Sequence, residues 1–67
     1  MSITQRRIAS RKASAEYLDV QRYCAKEDMR LSQDQVEGYW LHYDGRMRFV
    51  RYLSDVRGVV DWILATP

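Results

Sequence analysis

The chain has 67 residues, enough for one domain and close to the lower limit for folding alone. Its 46% hydrophobic and 30% charged content, with a net charge of only +2, is that of a globular protein and excludes a disordered one. One cysteine (Cys24) and one histidine (His42) exclude an internal disulfide and a zinc site, which leaves a well-packed core or a second copy of the chain, a homodimer, to stabilise it.

The first segment is basic. Residues 1–12 carry Arg6, Arg7, Arg11 and Lys12 and no acidic side chain. Arg6-Arg7 lead into Ile8-Ala9-Ser10 rather than into an apolar run, which does not fit a secretory signal. Residues 1–9 are read as a basic arm, and the lone thiol as that of a cytoplasmic protein.

A helix follows. Residues 1–30 hold neither glycine nor proline, and Ala13, Tyr17, Val20, Cys24 and Leu31 keep a helical period with Glu16, Asp19, Arg22 and Lys26 opposite. This predicts an amphipathic helix from about Ser10 to Met29. The stretch 13–45 is acidic, with seven negative and three positive residues.

The next segment changes character. Tyr39-Trp40-Leu41-His42-Tyr43 and Arg46-Met47-Arg48-Phe49-Val50-Arg51-Tyr52 are aromatic and β-prone, and they flank Asp44-Gly45. Asp-Gly suits a two-residue type I′ turn, whose central residues both need positive φ. A β-hairpin over about 38–52 follows. It places Trp40, His42, Met47 and Phe49 on one face and Tyr39, Leu41, Tyr43, Arg46, Arg48 and Val50 on the other.

Beyond Tyr52, Ser54 or Asp55 can cap a helix, and Val56, Val59, Val60, Ile63 and Leu64 form a helical stripe. A C-terminal helix over about 55–65 is expected. The run Val59 to Ala65 is interrupted by Asp61 and is too short to span a membrane. The fold class is α+β: helix, hairpin, helix in one small domain. The alternative is an all-α three-helix fold, in which Ser32 and Gln35 form a capping box and Val36, Tyr39, Trp40 and Tyr43 line a middle helix. Gly38 would then lie inside that helix.

Chemistry is sparse. No glycine-rich phosphate loop occurs, His42 is the only candidate base, and no partner for it is legible locally. We therefore expect no enzyme, no cofactor and no metal. Trp40, Phe49 and Trp62 are expected in the core, because large aromatics supply the most buried area per residue. Cys24, on the apolar face of the first helix, is expected to be buried and inert.

What remains is the surface. Tyr39, Tyr43, Arg46, Arg48 and Arg51 are the candidate partner-binding residues, since Tyr and Arg are enriched at binding hot spots. The expected function is that of a small regulator, inhibitor or adaptor that binds a larger protein, as phage- and plasmid-encoded accessory proteins do. The alternative is nucleic-acid binding through Arg6, Arg7, Arg11, Lys12, Arg46, Arg48, Arg51 and Arg57, where cations would meet phosphates.

Overall fold

The structure is a computed structural model and describes residues 12–66. The basic arm of residues 1–9, with Arg6 and Arg7, and Arg11 beyond it lie outside the described residues. In chain order the elements are α1 (Ala15–Lys26), β1 (Arg30–Gln33), β2 (Tyr39–Tyr43), β3 (Arg46–Val50) and α2 (Leu53–Ala65). The three strands form one antiparallel sheet in the order β1-β2-β3. The fold is α+β, and the all-helical alternative does not hold.

Helix α1 starts later and stops earlier than the periodicity predicts. Ser14 is its N-cap, with its hydroxyl accepting a 3.0 Å bond from the Tyr17 N–H. At the other end Asp28 turns left-handed at φ 62, and the N–H groups of Asp28 and Met29 bond back to the carbonyls of Ala25 and Cys24. This pairing closes the last turn and satisfies carbonyls the helix would otherwise leave orphaned. Leu31, predicted on the helix stripe, therefore sits in β1.

Strand β1 has no counterpart among the predicted elements. It pairs Leu31 with Leu41 and Ser32 with Trp40. Its four residues include one apolar side chain, too little for an alternation signal.

The hairpin matches its predicted register: Tyr43 faces Arg46, His42 faces Met47, Leu41 faces Arg48 and Trp40 faces Phe49. Asp44 at φ 51 and Gly45 at φ 70 supply the positive dihedrals of a type I′ turn. Helix α2 then begins at Leu53, two residues before the expected start. Its N-cap is Tyr52, whose side chain makes no capping bond, rather than Ser54 or Asp55.

Both helices lie on the same side of the sheet. Tyr17, Val20 and Cys24 of α1 and Val56 and Val60 of α2 close over Leu31, Leu41 and Val50, with Met29 completing the core. The expectation of a Trp/Phe core fails here. Trp62 is 57% exposed on α2 and Phe49 44% exposed on β3, while Trp40 is half-buried on the sheet face that no helix among the described residues covers. Medium-sized Leu, Val and Cys side chains fill most of the layer between helices and sheet, Trp40 and Phe49 lie on the opposite sheet face, and Trp62 stays on the helix side beside Arg48.

Candidate functional site: an uncovered sheet face

Side chains alternate along a strand, so the pairing fixes who shares the uncovered face. It carries Arg30 and Ser32 from β1, Trp40 and His42 from β2, and Met47 and Phe49 from β3. Two of these are large, apolar and substantially exposed, with Met47 at 59% and Phe49 at 44%.

The aromatic pair on this face is held in place. The Asp34 carboxylate accepts from the Trp40 indole Nε1–H at 2.9 Å and from the Val36 N–H at 3.0 Å. The Asp34 N–H donates to the Gly38 carbonyl at 3.0 Å and closes the β1–β2 loop. Gly38, at φ 85, then lies under the Phe49 ring: a Cβ there would come within 2.3 Å of Phe49 Cζ. Trp40 and Phe49 meet edge to face with centroids 5.2 Å apart, a favoured geometry for aromatic quadrupoles. Only Gly permits this ring-on-backbone contact.

Beside Trp40 on the same face, Ser32 Oγ and His42 Nε2 lie 2.9 Å apart. A hydroxyl beside an imidazole is the first half of a nucleophile-base arrangement. The second half is an acid that orients the ring, and no carboxylate among the described residues bonds to His42. Nor do three His, Cys, Asp or Glu side chains gather among the described residues. Cys24 is fully buried, and loss of hydration pushes its thiol above its ordinary range despite the opposing pull of Arg57.

The residues predicted to bind a partner are placed as follows. Tyr39 and Tyr43 are half-buried and pack on the core, with Tyr39 stacked on Tyr17 at 5.7 Å. Arg46, Arg48 and Arg51 are exposed. Arg48 lies over the Trp62 ring at 5.2 Å, and Arg51 pairs with Glu37 at 2.9 Å. So the predicted Tyr/Arg face exists as a face, but the helices cover its tyrosines. Of the nucleic-acid set, Arg57 lies over Tyr23 between the helices and Lys12 is exposed beside β1, where its carbonyl accepts from Gln33. Of the described cations, Arg46 and Arg48 share one sheet face, while Lys12, Arg51 and Arg57 each lie against a different neighbour.

Sequence reasoning missed Trp40, Met47 and Phe49 as surface residues. The hairpin register grouped them, but nothing local says which face the helices choose. No helix among the described residues is long and apolar enough to cross a membrane. Compared with protein-family models, curated proteins and solved structures, the chain matches none.

Proposed function

We propose that this chain is a non-catalytic binding module that docks on a larger protein through its uncovered sheet face. The observation that carries the reading is the fixed pair Trp40 and Phe49, flanked by exposed Met47 on a face that neither α1 nor α2 covers. Contiguous exposed apolar surface on a small protein marks an interaction site. Rings already immobilised by Asp34 and Gly38 lose little freedom on binding, so more of the contact energy becomes affinity. Their loss of hydration on docking supplies the driving force.

Protein is favoured over nucleic acid by the charges at this face. Among the described residues Arg30 is the one strand cation on it, and at its border Asp34 stands beside the ion pair of Glu37 with Arg51, so no surplus of positive charge gathers there. A phosphate backbone would meet balanced charges where it needs an excess of cations.

The test compares capture of proteins by the wild-type chain and by Met47→Glu, which places a charge on the face without touching the core. Expected is loss of the specific partner with an unchanged melting temperature. An identical set of captured proteins sinks the reading. Mobility shifts with single- and double-stranded nucleic acid at low salt complete it: binding that falls steeply with salt would transfer the function to the nucleic-acid alternative.

A further inference from the structure

The sheet has two edges, and they are treated differently. In a two-residue hairpin the residues next to the turn exchange both backbone bonds, so Arg46, Arg48 and Val50 point their N–H and C=O groups at β2. Met47 and Phe49 point theirs outward. By the same alternation Leu31 faces outward on β1, and there the helix intervenes. Its carbonyl accepts from Tyr17 Oη and from Gln21 Nε2, both at 3.1 Å. The β1 edge is stoppered. The β3 edge, five residues with neither proline nor bulge, has no such cover among the described residues.

Beside that edge runs a groove of about 580 Å³ between β3 and α2. Arg48 and Val50 form its strand wall, and Asp55, Gly58, Val59 and Trp62 its helix wall. Gly58 has no heavy atom near the place a Cβ would take, so no packing contact demands glycine there. The groove is wide where Gly58 lies.

We infer that β3 accepts an extended peptide strand from the partner, with acidic side chains alternating with apolar ones, added to the sheet through the outward backbone groups of Met47 and Phe49. This rests on the reading that the chain binds a protein, and it names the form of the ligand. Strand addition takes its affinity from main-chain bonds and its specificity from alternate side chains. On the helix side, alternate residues of the added strand lie beside Arg46 and Arg48, where acids are favoured. On the uncovered side the others lie beside Met47 and Phe49, where apolar groups extend the platform. A second copy of the chain is a poorer occupant. Antiparallel pairing of β3 with itself in the fullest register sets Arg48 opposite Arg48, and like charges directly opposite are destabilising.

The probe is a fluorescein-labelled peptide of alternating glutamate and valine, about eight residues long, with a lysine-valine peptide as control. Binding is followed by anisotropy and by amide hydrogen exchange on the full chain. The glutamate peptide is expected to bind, and the Met47 and Phe49 amides to exchange about tenfold more slowly when it saturates. The lysine peptide is expected not to bind. In a chemically synthesised chain, an ester in place of the Met47 N–H keeps every side chain and is expected to weaken binding about five- to tenfold. Arg46→Glu with Arg48→Glu is expected to reverse the preference between peptides. No binding of the glutamate peptide, or saturation with both amides exchanging at their free rates, overturns the inference. So does protection that grows with protein concentration in the absence of peptide, which identifies a second copy as the occupant. If the edge fails while Met47→Glu still loses the captured partner, only the strand addition falls and face docking stands.

Discussion

A methyl group at position 38 would meet two conflicts at once. The backbone there is at φ 85, which L side chains rarely adopt, and the new carbon would lie 2.3 Å and 2.5 Å from atoms of the Phe49 ring. Gly38→Ala is expected to destabilise the fold by about 2 kcal/mol. In a Phe49→Ala background only the backbone part remains, so the same change is expected to cost about 1 kcal/mol. Urea unfolding of the four proteins in this cycle measures the difference. Equal costs in both backgrounds would mean that the ring does not rest on Gly38. The sequence shows why this contact is illegible locally. Gly38 reads there only as a breaker in the rival helix, because its partner is eleven residues away and reaches it through the register of a second strand. The pairing of Trp40 with Phe49 was legible, since a two-residue Asp-Gly turn fixes every pair behind it.

Element boundaries show the same split between local and distant causes. The helix stop at Lys26 has no glycine to announce it; Asp28 adopts the left-handed cap, and buried Met29 and Cys24 close the motif. Strand β1 is set by its pairing with β2 and by the hydrogen bonds that Leu31 takes from α1, not by its own composition. Helix α2 was legible because its stripe of Val56, Val60 and Ile63 is strictly periodic and does meet the core. Its start is weak. Tyr52 has the extended backbone of an N-cap, φ −111 and ψ 134, but its ring cannot accept a bond from the first turn. Tyr52→Asp is expected to stabilise the domain by about 1 kcal/mol, since a carboxylate there would accept an orphan N–H and oppose the helix dipole favourably. Thermal unfolding at neutral pH reads this as a rise in melting temperature. No rise would mean that the start of α2 is already satisfied by water.

At the scale of the whole molecule, the contact between α1 and α2 makes the fold sensitive to alkaline pH. The Tyr23 hydroxyl donates to the Asp61 carboxylate, and Arg57 lies over the Tyr23 ring. Ionising Tyr23 would break that bond and set two anions side by side, so its hydroxyl titrates above its ordinary range; the bond to Asp61 is the largest cause, then lost hydration. Cys24, one residue away and fully buried, is raised by lost hydration. Both are acids whose neutral form the fold prefers. Below about pH 8.5 the folded and unfolded chains hold these protons equally, and the stabilisation is fully present. As pH rises further the unfolded chain releases them first, so the unfolded state gains and stability falls until the folded groups ionise as well. For Cys24 the loss is at most about 1.4 kcal/mol per pH unit. Urea midpoints taken between about pH 8 and pH 10.5 are expected to fall more steeply for the wild type than for Cys24→Ala. Tyr23→Phe, which keeps the ring under Arg57 and removes the proton, is expected to flatten the upper part of that range. Parallel curves for all three proteins would show that the helix pair does not hold these protons, and that the contact between Tyr23 and Asp61 does not persist in solution.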